Sequence, residues 1–303
     1  MSDYSKIEIN QLSTLHGHAG PVHKILKGRS ENELISCGGD GWALSWYLDQ
    51  SGENELIYRA DSPILTACID IQSGLLILGD KSGILHFYSL ESNTLIRQVF
   101  HHPRGVVSFL STRNGLYSCG MDGKVSLWDT VTGQVENSLH ISRFPLVGCA
   151  QAPDGSFVAA NERGTVYIMD NELNEITKSY SFSHGDITTI NLKGEIVHVG
   201  FVSGKVIGIT RKDGKPACES DPHWFSVTDI STLGTSELIT VGSDGKINVL
   251  NFSDLTKITQ GPEEPENSVM PAINTLLVIA DKRMCYVGGD DRTIRVFKFE
   301  KAK

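Results

Sequence analysis

Two groups of residues in this 303-residue chain carry the side chains of a hydrolytic site: His18, Ser36 and Asp40, and again His102, Ser118 and Asp122. A serine activated by an imidazole that a carboxylate orients is a recurrent arrangement for acyl transfer. The second copy argues against that chemistry. Each group is followed by a tryptophan, Trp46 and Trp128, and each serine falls in an apolar run that reads as a buried strand. Catalytic triads do not usually come in repeat-spaced duplicates, so a structural role is expected and no catalytic residue is assigned. An aspartate in a tight turn can accept hydrogen bonds from backbone N–H groups and an imidazole, and a buried indole N–H needs an acceptor.

Other chemistry is equally thin. No P-loop, dinucleotide fingerprint or H-E-x-x-H helix is present. GGDG at Gly38 and GGDD at Gly288 look suited to phosphate, but they fall at equivalent hairpin turns and read as turn chemistry. His16 and His18 could share a metal ion, yet no third ligand is evident near them in sequence. Cys37, Cys68, Cys119, Cys149, Cys218 and Cys285 lie far apart with no C-x-x-C pair. They read as reduced core residues, so neither a metal nor a cofactor is expected.

The elements that must position these residues recur. A short apolar run, a small-residue turn and an alternating strand appear as ISCGGDGWALSW at Ile35, LILGDKSGILHFY at Leu76, YSCGMDGKVSLWD at Tyr117 and VAANERGTVYIMD at Val158. VHVGFVSGKVIGI at Val197, ITVGSDGKINVL at Ile239 and YVGGDDRTIRVF at Tyr286 continue the series. The turn position falls at Gly41, Gly83, Gly123, Gly164, Gly204, Gly245 and Arg292, at intervals of 42, 40, 41, 40, 41 and 47 residues. That period, with strict alternation such as Lys246, Ile247, Asn248, Val249, predicts an all-β, seven-bladed β-propeller of four-stranded antiparallel blades. Apolar strands such as Val22 to Leu26 precede each hairpin, and outer strands such as Leu95 to Val99 follow it. Almost no helix is expected.

Residues 1–303 read as a single domain. After the seventh hairpin only Phe299 to Lys303 remain, too few for a further strand, and Lys6 to Leu12 alternates Ile7 and Ile9. Residues 6–12 are therefore expected to complete blade seven and close the ring, which removes exposed sheet edges. The stretch QGPEEPENSVMP, residues 260–271, is acidic and rich in proline, and it is expected to be a mobile loop insertion.

These motifs resemble the WD40 repeat family over nearly the whole chain. His16 to His18 precede Gly20, Pro21 and Val22, and then come Ser36, Asp40 and Trp46; His102, Ser118, Asp122, Trp128 and Asp129 repeat that order, with Ser, Asp and Trp at the same spacings. The resemblance implies that each His, Ser, Asp and Trp form a hydrogen-bonded chain tying the loop into a blade to its central hairpin turn. Unit six keeps His223, Thr240 and Asp244 but has Leu250 at the tryptophan position, and units two, four, five and seven lack most of the set. The resemblance also implies a non-catalytic scaffold or adaptor that binds peptides or protein domains.

Composition bounds the partners. The chain is 40% hydrophobic and 21% charged with 30 glycines, as in soluble globular proteins, and its net charge of −9 argues against general affinity for nucleic acid or anionic lipid. No apolar stretch approaches a membrane span and no signal peptide is visible. A protein that is cytoplasmic, or alternatively nuclear, monomeric by itself and part of a multiprotein complex is expected. Two clusters are candidate partner-binding sites: Arg104, Arg143 and Arg163, suited to a phosphorylated or acidic ligand, and His223, Trp224 and Phe225, two large aromatics in a polar turn. An enzyme with a site in the central channel is the remaining alternative, and no acid, base or metal set for it is legible.

Overall fold

Alternating strands joined by tight glycine turns pair with their chain neighbours, and the seven units accordingly form seven separate four-stranded antiparallel sheets. The computed structural model describes residues 7–49, 52–261 and 270–301. Six blades follow chain order from the axis outward: residues 22–59, 64–100, 106–140, 146–181, 187–220 and 227–261. No helix occurs among the described residues.

Blade seven is assembled from both ends of the chain. Its sheet runs, from the axis outward, Ile273–Ile279, Met284–Gly289, Thr293–Lys301 and then Ile7–His16. The first strand pairs antiparallel with the last, from Ile7 opposite Lys301 to His16 opposite Thr293. It is longer than the expected residues 6–12, because Leu15 is also buried, opposite Ile294, and the ladder resumes after a bulge between Gln11 and Ser13. Lys6 lies outside the described residues.

The first two residues of the expected loop 260–271 are strand. Gln260 and Gly261 belong to the outer strand Lys257–Gly261, where Gly261 pairs with Ile247. Residues 262–269 lie outside the described residues.

Apolar burial occurs between blades. The second strand of blade three, Gly115–Gly120, is buried throughout, while the outer strand Gln134–His140 alternates with solvent. Tyr117 and Cys119 pack against Leu146 and Phe157 of blade four. Leu116 and Trp128 pack the other way, against Ile77 and Phe87 of blade two. Each of the seven apolar clusters joins one adjacent pair of blades, so every sheet is covered on both faces. All six cysteines are free thiols, and burial pushes those of Cys37, Cys68 and Cys285 far up.

The turns require glycine for a stated reason. Gly83 has a φ of 95°, and a Cβ there would fall 1.7 Å from the His102 carbonyl oxygen. Arg292 stands at the equivalent place in blade seven and adopts a φ of 67°, a strained backbone for a non-glycine residue.

Deleting residues 1–12 removes Ile7 and Ile9 from the cluster that covers Phe297 and Phe299. The expected result is a stability lower by about 3 kcal/mol or more, from lost ladder bonds and apolar burial. Urea unfolding of truncated and full-length protein measures this, and coincident midpoints would contradict it.

Candidate interaction face

The hairpin turns and the loops leading into the blades share one end of the ring, locked together by backbone hydrogen bonds. In every blade a turn N–H donates to a carbonyl of the lead-in loop: Gly39 to Pro21, Lys81 to Pro63, Met121 to Gly105, Glu162 to Pro145, Val202 to Asp186, Ser243 to Ser226 and Asp290 to Ala272. The turn glycine then accepts from the chain on its way to the next blade, as His101 N–H donates to Gly83 and Phe182 N–H to Gly164. Turns and loops therefore alternate in a continuous belt.

In blade one, His18 Nδ1 lies 2.8 Å from Asp40 and its Nε2 2.7 Å from Ser36 Oγ, and Trp46 Nε1 donates to the same oxygen at 2.8 Å. Blade three repeats this with His102, Asp122, Ser118 and Trp128 at 2.8–2.9 Å. The order of partners matches that of a serine hydrolase. Access does not: Ser36 and Ser118 are wholly buried with an indole on the hydroxyl oxygen, so no acyl carbon can reach them.

The protonation states follow from the surroundings. Burial works to raise the Asp40 carboxyl, but hydrogen bonds from the Trp42 and Ala19 N–H groups and the adjacent His18 outweigh it and hold the group below the usual range. Burial pushes the His18 imidazole below its ordinary value despite Asp40. The neutral ring then donates from Nδ1 to Asp40 and accepts from the Ser36 hydroxyl.

Other blades anchor their turns with different residues. In blade two Asp80 accepts from His86 Nε2 at 3.0 Å and from Ser82 at 2.7 Å. In blade four Asn161 donates to Ser142 at 2.9 Å. The signal for His86 was a histidine at an alternating position in an otherwise apolar strand.

His223 must be corrected. Its side chain is buried, with Nδ1 2.9 Å from Asp244 and Nε2 2.9 Å from Thr240, so it belongs to the blade-six network and is not offered to a partner. Its neighbours point outward: Trp224 is 87% exposed and Phe225 62% exposed. The Trp224 backbone N–H donates to Asp244 at 3.2 Å.

The three arginines are only partly brought together. The Arg143 and Arg163 guanidiniums sit 5.9 and 5.8 Å from the centre of the Phe144 ring. Arg163 is also paired with Asp186 at 3.3 Å and Glu162 at 3.9 Å. Arg104 lies on the lead-in loop of the neighbouring blade, exposed, with no hydrogen bond or ion pair to the described residues. Lys81, Phe144 and Val202 join this face and were missed. Val202 was detectable, because the turn column Gly39, Lys81, Met121, Glu162, Val202, Ser243, Asp290 is otherwise mostly polar.

The central channel encloses a cavity of about 320 Å³ lined in part by Lys24, Ser108, Cys149 and Asp229. The Asp229 oxygens accept from the Ile230 and Leu276 N–H groups at 2.8 and 2.9 Å, a strap between blades six and seven. No three-residue group suited to a metal ion is found among the described residues.

Trp46→Phe and Trp128→Phe should each lower unfolding free energy by about 1–2 kcal/mol, because each leaves a buried serine oxygen short of a donor. Chemical denaturation tests this, and parent-like stability in both variants would refute it. Stability should also fall with acidification. Burial pushes His198 and His101 down to about 4, so between about pH 6.5 and 4 the unfolded chain binds more protons and stability is lost as pH drops. The fully buried His198 alone accounts for on the order of 2 kcal/mol by pH 5. Unfolding midpoints that stay level from pH 7 to 5 would rule this out.

Comparison with known proteins agrees with this architecture. The family model described as WD domain, G-beta repeat matches residues 93–129, which end at Trp128 and Asp129. U3 small nucleolar RNA-associated protein 15 of Schizosaccharomyces pombe is 25% identical over 193 residues, covering 59% of this chain and 38% of that protein. Target of rapamycin complex subunit wat1 of the same organism is 25% identical over 124 residues, covering 38% of this chain and 40% of its own length. These matches thus span well under half of either relative. The crystal structure of the WD40 beta propeller domain of Doa1 superposes with a TM-score of 0.85 at 16% identity, covering 96% of this chain and 97% of that one, a likeness of fold. The chain is a seven-bladed β-propeller, and its residues 93–129 match the WD40 repeat.

Proposed function

We propose that this protein is a non-catalytic interaction platform that binds peptides or protein domains on its loop-and-turn face, within a multiprotein complex. The observation that carries this reading is the exposure of Trp224 beside Phe225 and Val202. Their surfaces cover no core formed by the described residues, and partner-facing patches concentrate binding energy in aromatic and arginine anchors. The relatives agree in kind, since one is by name a subunit of the target of rapamycin complex.

A second reading has its own support. Lys81, Arg104 and Arg143 are exposed, with no ion pair among the described residues, on consecutive blades of a chain with net charge −9. Such a group suits a phosphorylated or acidic ligand.

Affinity purification tests both readings. Trp224→Ala, and separately Arg104→Glu with Arg143→Glu, should lose partners that the parent recovers, at unchanged melting temperature. Loss only in the arginine variant, reproduced by phosphatase treatment, would favour the second reading. Recovery of every partner at parental yield by both variants would show that another surface is used.

A further inference from the structure

The belt changes character once as it passes from blade two to blade six. Lys81, Arg104 and Arg143 come first, and the Lys81 carbonyl lies against Gly105, so the first two share one junction. Phe144 follows, flanked by the Arg143 and Arg163 guanidiniums. The ion pair of Arg163 with Asp186 then ends the cationic stretch. Beyond it lie Val202, Trp224 and Phe225, which adjoin because the Gly204 carbonyl accepts from the His223 N–H.

We propose that this stretch holds one extended, carboxylate-bearing segment of a partner protein, with its acidic residues on Lys81, Arg104 and Arg143 and a bulky apolar side chain against Val202, Trp224 and Phe225. The inference rests on the interaction reading above and adds the chemistry of the partner. A purely apolar segment would leave unpaired cations beneath it, and a purely acidic one would leave the exposed aromatic pair in water. A uniformly polyanionic ligand such as RNA would meet Asp186, Asp221 and Asp290 on blades five to seven. Carboxylates suit the basic end because each guanidinium can hold one through two parallel hydrogen bonds, while the Phe144 ring lies under Arg143 at the junction with the ion-paired Arg163.

A random 12-residue phage-displayed peptide library panned on the full chain tests this. The expected consensus pairs an acidic cluster with one Leu, Phe, Trp or Met several residues away. Anisotropy titration of a selected peptide should weaken about tenfold or more with Arg104→Glu and Arg143→Glu, weaken further with salt, and weaken comparably with Trp224→Ala. Panning on the arginine variant should lose the acidic cluster and keep the apolar residue; panning on Trp224→Ala should do the reverse. A parental consensus without acidic residues overturns the inference and leaves the interaction reading intact, as does a consensus in which both variants lose the same half. Enrichment of no peptide, with partner recovery unaffected by Trp224→Ala, defeats both. Tighter binding when phosphoserine replaces the selected acidic residues, or displacement by a 20-nucleotide poly-uridine, would replace the carboxylate by a phosphate ligand.

Discussion

No blade of this protein has a core of its own. Each sheet is four strands wide and apolar on both faces, and each apolar cluster belongs to two blades at once. An isolated blade would leave both faces in water, and a row of seven would leave two. Only a closed ring covers them all, and closure depends on the ladder between Ile7–His16 and Thr293–Lys301. The most distant segments in sequence are therefore the pair on which every other contact relies, since opening blade seven exposes the clusters it shares with blades six and one.

The loop-and-turn face follows from the same geometry. Its constant feature is main-chain pairing: one turn N–H of every blade donates to its lead-in loop. The side chains that support this pairing vary. Blades one, three and six use His with Asp, blade two draws its histidine from a strand, and blade four uses Asn161. Because the backbone carries the architecture, exposed positions on the belt are free to differ between blades. That freedom lets Lys81, Arg104 and Arg143 gather at one side of the ring and Val202, Trp224 and Phe225 at another.

Exposure decides what these residues can do. His18, Ser36 and Asp40 have the hydrogen-bond order of an acyl-transfer site, but the indole on Ser36 and complete burial leave no room for a substrate. His223 and Trp224 adjoin in sequence and divide the roles, one sealed under the turn and the other open to water. A carboxylate held low and an imidazole kept neutral are here the marks of a structural tie.

The sequence by itself determined the number of blades, their strand pattern, the meeting of the chain ends and the structural reading of the duplicated His, Ser and Asp sets. These depend on local periodicity and turn chemistry, which recur about every 41 residues and reinforce one another. Even the strained place of Arg292 was visible, as the one non-glycine in its column. Only the tertiary structure decided that His223 is buried while Trp224 is not, that Asp186 engages Arg163, and that Lys81, Phe144 and Val202 join the face. The repeat period aligns the turn positions, Val202 among them, but the side of a loop that a side chain takes and the contacts it makes with another blade depend on packing that the period does not specify.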